Sequence, residues 1–318
     1  MKNTGKKIVV IGGGTGVFTV LSGLKKYFSD LTAVVTMADD GGSTGILREE
    51  FGILPPGDIR RALIALSTSD NKMLSQLFNY RFAEGGGLSG HSFGNLMITA
   101  LERLTGSFDK AVEETGKLLS VRGRVLPVTL KKTALIAELE NGSVVRGEAN
   151  IDVPKHDGTI RIKKAYLKPN VAINPAAKTA ILEADGIVIG PGDLFTSLIP
   201  NLLVDGMREA LKKSRAKKIY FVNLMTKFGE TTGFQASDFL RTIEEYLGKN
   251  ILNYAVVNKT KPTAMRFRPY SKERAEVVEP DLKNFNASPI PIAANLLRRY
   301  GLLRHDPEKI AEIVRMLI

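Results

Sequence analysis

Short apolar runs without polar alternation punctuate the chain at Ile8 to Ile11, Leu31 to Met37, Gly186 to Ile189, Ile219 to Val222 and Leu252 to Val257. Runs of this length with no polar side predict strands buried on both faces, as in a parallel sheet. Between them the apolar spacing changes to three and four. Phe18, Leu21, Leu24 and Phe28 form one helical stripe, Leu202, Val204, Met207 and Leu211 a second, and Phe239, Leu240, Ile243 and Leu247 a third. Strands alternating with helices predict an α/β protein whose mainly parallel sheet is covered on both faces. Asn174-Pro175 and Asp306-Pro307 each place a capping side chain before a proline whose missing N–H costs nothing there. After the second, Ile310, Ile313, Val314 and Leu317 predict a last helix docked on the core.

The rhythm changes from Arg124 to Pro169. Val125 to Leu130, Ala134 to Leu139, Ser143 to Ala149 and Thr159 to Leu167 read as β segments, separated by Glu140-Asn141-Gly142 and His156-Asp157-Gly158. Asn-Gly and Asp-Gly are hairpin signals. The stretch at about 124–169 therefore reads as a small antiparallel β insertion, a structural flap within one α/β domain spanning 1–318.

Composition narrows the function. The 318 residues are 43% hydrophobic and 25% charged, ordinary for a globular chain. No apolar stretch reaches the roughly 18 residues of a spanning helix. The start, Met1 to Lys7, carries no apolar secretory region, so a cytoplasmic location and no membrane insertion are expected. Zero cysteines exclude thiolate chemistry and cysteine zinc sites, and three histidines, His91, His156 and His305, limit histidine-based metal binding. A metal site would use carboxylates and favour a magnesium-like ion. The net charge of +12 attracts anions. Basic residues are scattered, with no zinc-finger or RNP-like string, so nucleic acid is not the expected partner.

Five glycine-bearing polar loops carry the candidate chemistry. The first, Gly12-Gly13-Gly14-Thr15-Gly16, follows a strand and opens a helix, whose unpaired amides and dipole suit a phosphate. It matches neither known phosphate fingerprint: the chain contains no P-loop string, and Val17 and Thr19 stand where Gly-x-Gly-x-x-Gly needs glycine. A tight strand-to-helix turn is the plainer reading. Ala38-Asp39-Asp40-Gly41-Gly42-Ser43-Thr44-Gly45 adds a carboxylate pair at a strand's carboxyl end, and Pro55-Pro56-Gly57-Asp58 another acid, read either as an N-cap or as a metal ligand. Asp40 and Asp58 are the candidate pair for a divalent ion. Gly85 to Asn95 supplies Ser89, His91, Ser92 and Asn95 as donors to phosphate or sugar. A serine–histidine nucleophile there lacks a third member. Gly190-Pro191-Gly192-Asp193, and Asn223-Leu224-Met225-Thr226 with Gly229-Glu230-Thr231-Thr232-Gly233, repeat the strand-loop-helix arrangement. Together these loops predict a long cleft for an extended ligand, such as a nucleotide joined to a second group.

In combination GGGTG, ADDGGSTG, PPGDIRRAL, GGLSGHSFGN, GPGDLFTS and NLMTKFGETTGF resemble the bacterial gluconeogenesis-factor family, UDP-sugar-binding relatives of 2-phospho-L-lactate transferase (CofD-like), across nearly the whole chain. The resemblance implies a Rossmann-like three-layer α/β/α fold, a cytoplasmic protein, and a role in gluconeogenic growth and cell-shape regulation. It implies a UDP-sugar ligand, UDP-N-acetylglucosamine, with a metal-dependent transferase as the alternative. In the transferases the divalent ion binds aspartates that match Asp40 and Asp58. For the nucleotide, Tyr270 is the candidate for stacking on uracil and Arg304 for the phosphates. Magnesium, a cell-wall regulatory protein and a second copy of the chain are the partners left open. Lys227-Phe228-Gly229 departs from the family's Gln-Pro-Gly, which predicts a less rigid loop.

Overall fold

The computed structural model describes residues 4–68 and 72–318; the first three residues of the expected non-secretory start lie outside them. Among the described residues, ten strands form two sheets. They are β1 (Thr4–Gly12), β2 (Phe28–Val35), β3 (Arg124–Pro127), β4 (Ala134–Leu139), β5 (Val144–Arg146), β6 (Ile162–Lys168), β7 (Gly186–Ile189), β8 (Lys217–Phe221), β9 (Tyr254–Asn258) and β10 (Ile290–Ala294). Seven make a parallel sheet in the order β10-β9-β8-β7-β1-β2-β3, with Val10 of β1 registered against Ala33 and Val188. Residues Ile8 to Ile11 and Ile187 to Ile189 are almost wholly shielded, as unalternating apolar strands require.

Helices cover both faces, which completes the Rossmann-like three-layer arrangement. Gly14–Leu24 packs against Pro56–Leu66 and against the last helix, Pro307–Leu317. Pro175–Glu183, Met207–Lys213, Ile199–Leu202 and Ala236–Leu247 form a second packed group. Both proline-marked starts are capped: Asn174 accepts from the Ala176 N–H, and Asp306 from Glu308. Two stripes end sooner than their spacing suggests. Phe28 opens β2, because the first helix stops at Leu24, and the Leu202-to-Leu211 stripe breaks at Asp205-Gly206 into separate helices.

The 124–169 region divides. Arg124–Pro127 joins the main sheet, pairing in parallel with β2, so the antiparallel sheet begins only at Ala134, in the order β5-β4-β6. A four-residue strand carries too little pattern to show which sheet it extends. Of the expected strand Ser143 to Ala149 only Val144–Arg146 is extended, and Glu148–Asp152 turns into a short helix. Leu135, Ala137 and Ala165 of the small sheet share the hydrophobic core of the large one. Among the described residues, no helix is long and apolar enough to cross a membrane.

Candidate functional site

From β1 the chain runs outward on one side through β2 and β3, then returns to β7 and continues the other way. Loops leaving the carboxyl ends diverge at such a reversal and open a crevice. Here the loop after β1 meets the loop after β7. A Cβ on Gly16 would collide with the Pro191 carbonyl, and one on Gly13 would lie 2.6 Å from Asp58 Oδ2 and 2.9 Å from Thr36 Cγ2. Glycine is needed at both for close approach.

Two cavities of about 540 and 560 Å³ share this junction; Thr15, Gly16, Asp152, Gly192, Asp193 and Lys227 border both. They are two lobes of one cleft. The helix Gly14–Leu24 has no side chain bonded at its N-cap, so its first turn faces the cleft with its dipole unmet, except that the Gly14 N–H bonds Asp58.

One lobe is charged. It is bordered by Asp39, Asp58 and Glu148, and by Arg60, Arg61 and Arg81. Burial, followed by the charge of Asp39, raises Asp58 to about 6 against the opposing pull of Arg61, whose nitrogen is 3.9 Å away. Burial, with Asp39, Asp152, Asp40 and Asp58 adding to it, raises Glu148 to about 9. Asp39 is likewise raised by burial, against bonds from the Gly41 N–H and the Thr44 hydroxyl. Arg60 is buried and held by Asn95 Oδ1 at 3.0 Å and Asn79 Oδ1 at 2.8 Å. Carboxylates are the donor type a hard divalent cation takes, and a cation beside them would reverse the upward shifts, but Asp39, Asp58 and Glu148 do not gather within 4.8 Å as Asp152, Asp193 and Glu230 do.

The other lobe is mainly neutral. Tyr270, Phe228, Leu224, Pro191 and Leu303 wall it, and Asn223, Thr226, Arg304 and His305 supply its polar atoms. Tyr270 is fixed by the Leu303 N–H at 2.9 Å, and Asn223 Oδ1 accepts from the Gly192 N–H at 3.4 Å. Thr226 receives the Glu276 N–H at 2.8 Å, which ties the loop after β8 to the segment beyond it.

Between the lobes stands Lys227. Its ammonium bonds Asp152 and lies 3.1 Å from Asp193 and 3.6 Å from Glu230. The oxygens of these three acids fall within 4.8 Å of one another, a spacing that would suit a metal, but the lysine supplies the cation. Burial alone would lower the Lys227 pKa; Glu230, Asp193 and Asp152 more than reverse it. Burial, with Asp193 next, raises Glu230 to about 8 even though it accepts from the Phe195 N–H at 2.9 Å and the Thr196 hydroxyl at 3.0 Å. The Lys227-Phe228-Gly229 loop is thus anchored by charge, and by Lys227 N–H and Gly229 N–H bonds to Thr231 and Thr232, instead of loosened.

Most of the expected residues converge. Gly13, Gly14, Thr15, Gly16, Asp39, Ser43, Thr44, Asp58, Asn95, Gly192, Asp193, Asn223, Thr226, Tyr270 and Arg304 border the cleft. Five do not. Asp40 is drawn off: its Oδ1 accepts the Ala149 N–H at 2.8 Å and anchors the short helix Glu148–Asp152, so Asp39 replaces it as the partner of Asp58. Asp58 is not an N-cap, since Pro55 holds that position. His91 is buried with Nδ1 3.1 Å from the Ser43 hydroxyl; it positions Ser43 and forms no pair with Ser89 or Ser92. Ser92 caps the helix Phe93–Thr105, Ser89 is exposed and bonds the Ala83 carbonyl, and Gly190 at φ +70° makes the turn behind the loop. Glu148, Asp152, Arg60 and Lys227 were missed. Arg60 could have been found as a charge on the apolar face of a helix, whereas the insertion's acids carry no local signal.

A doubly wound α/β protein with a cleft at its strand-order reversal is what the geometry defines. The family model for 2-phospho-L-lactate transferase CofD matches residues 8–297, and the chain belongs to that family. It is 48% identical over 314 residues to a protein of Nostoc sp., covering 98% of this chain and 68% of that one. It is also 43% identical over 313 residues to the gluconeogenesis factor of Halalkalibacterium halodurans, covering 97% and 95%. The crystal structure of a UPF0052-family protein from Bacillus halodurans superposes with a TM-score of 0.94 at 42% identity, over 98% of this chain and 99% of the other.

Proposed function

We propose that this chain is a cytoplasmic gluconeogenesis factor that binds UDP-N-acetylglucosamine and links precursor supply to cell shape, acting over residues 1–318 as one domain. One observation carries the reading: a neutral lobe and a charged lobe meet across the open first turn of the helix Gly14–Leu24. The diphosphate belongs at the junction, where the amides of Thr15 and Gly16 face the cleft. Uracil belongs beside Tyr270, with Arg304 reaching the phosphates, and the sugar extends toward Arg60 and Arg61. No expected nucleophile gains a base here, since His91 faces Ser43 in a buried network and His305 faces the Val222 carbonyl. Titration calorimetry with UDP-N-acetylglucosamine should show one-to-one binding that weakens with salt. Absence of heat with every uridine nucleotide would overturn the assignment.

The acids of the charged lobe favour a second reading, a metal-dependent transferase of the phospholactate type. Asp39 and Asp58 would hold a magnesium-like ion, which would supply charge neutralisation at a phosphoryl group. Turnover of a nucleotide-activated donor, lost in Asp58→Asn, is its signature; an inert protein across donors and acceptors excludes it. A bound cation in the sensor reading predicts weaker ligand binding after chelation.

A further inference from the structure

We propose that His305 reads the base of the bound nucleotide, its Nδ1 lone pair accepting the ring imide N–H of a uracil. This rests on the nucleotide reading of the cleft and adds to it the group that sets base selectivity. His305 borders the neutral lobe and is 7% exposed. Its Nε2 lies 3.2 Å from the Val222 carbonyl oxygen, which has no hydrogen to give, so Nε2 carries the proton. Burial, opposed only by that carbonyl bond, lowers the imidazolium pKa to about 4 and keeps the ring neutral. Nδ1 is therefore a bare acceptor. Among the described residues no side chain or backbone group hydrogen-bonds Nδ1, and the residue borders the lobe.

The residue after Val222 supplies the complementary group. Asn223 Oδ1 is used by the Gly192 N–H, which leaves the carboxamide N–H₂ for a ligand carbonyl in the same lobe. Uracil presents an N–H between two carbonyls and suits this acceptor and donor. At the equivalent ring nitrogen adenine and cytosine carry a lone pair and no hydrogen, so neither can donate from that position to Nδ1. Tyr270, locked through its hydroxyl, gives the base a flat wall.

The test compares UDP with N3-methyluridine 5′-diphosphate, which keeps the stacking face and diphosphate and carries a methyl group in place of the imide hydrogen. The wild-type protein should bind the methylated probe at least about tenfold more weakly. His305→Gln keeps an N–H for Val222 and loses the δ lone pair; it should bind UDP more weakly and bring the two probes within about threefold of each other. A direct readout needs no variant: in ¹⁵N-histidine spectra, the His305 Nδ1 resonance should move upfield on adding UDP. Equal wild-type affinity for the probes, an unmoved Nδ1 resonance, or a folded His305→Gln that keeps the discrimination would each overturn the proposal while leaving the nucleotide reading intact. Failure of UDP itself to bind would overturn both.

Discussion

The two lobes of the cleft share Gly16, Gly192 and Lys227, yet the groups that burial perturbs differ between them: acids and Arg60 in one, a histidine in the other. In the charged lobe, burial and mutual repulsion raise acids toward neutrality, Asp58 to about 6 and Glu148 to about 9. In the neutral lobe, burial lowers a base, His305, to about 4. Burial disfavours charge in both places, and the charged lobe holds more of the ionisable groups that a ligand can compensate. The difference assigns them separate work: one lobe matches charge, and the other matches shape and hydrogen-bond polarity.

The division depends first on Lys227, which borders both lobes. Lys227→Met leaves Asp152, Asp193 and Glu230 without a cation and should cost about 3 kcal/mol in urea unfolding at pH 8. A loss much below 1 kcal/mol would show that the cluster does not hold the lobes together. Gly16→Ala should come next, at about 3 kcal/mol or slightly less, because its Cβ meets Pro191 backbone and cannot be relieved by a rotamer change. It should also abolish UDP-N-acetylglucosamine binding, and retained binding would remove the junction from the site.

The raised acids give a pH dependence of definite sign. Glu148 and Glu230 have an ordinary value of 4.5 and stand at about 9 and about 8 in the fold. Below 4.5 the folded and unfolded chains are both protonated at these groups; above it the unfolded chain ionises first, so stability falls as pH rises toward the folded values. A decline of several kcal/mol between pH 5 and pH 8, about 1.4 kcal/mol per pH unit for each of the two groups, is expected in urea melts. Glu148→Gln should flatten the curve, as should magnesium if the ion binds beside Asp39 and Asp58; curves that overlie wild type would contradict the assignment. The smallest effect separates neighbouring acids. Asp40→Asn weakens one bond to Ala149 and should cost about 1 kcal/mol with ligand affinity unchanged, whereas Asp39→Asn should change affinity and its chelator sensitivity. Equal affinity losses would return Asp40 to the site.

Much of this organisation was visible along the chain. The unalternating strands, the proline-marked helix starts and the glycine loops are local patterns, so β1, β7, β8 and β9 and most cleft-bordering residues followed from them. Arg124–Pro127 did not, because four residues cannot declare whether they extend a large sheet or start a small one. The choice between Asp39 and Asp40 was equally hidden. Adjacent residues differ in direction, and the Ala149 N–H that captures Asp40 lies 109 positions away.

What the sequence by itself determined is the α/β plan and the kind of chemistry its loops can offer, since periodicity, capping and glycine act over a few residues. What only the tertiary structure decided is which charges meet. Lys227 takes the position that three acids from separate segments would otherwise offer to a metal, and Asp58 finds Asp39, because electrostatic energy depends on distance through space and burial, neither of which is written in separation along the chain.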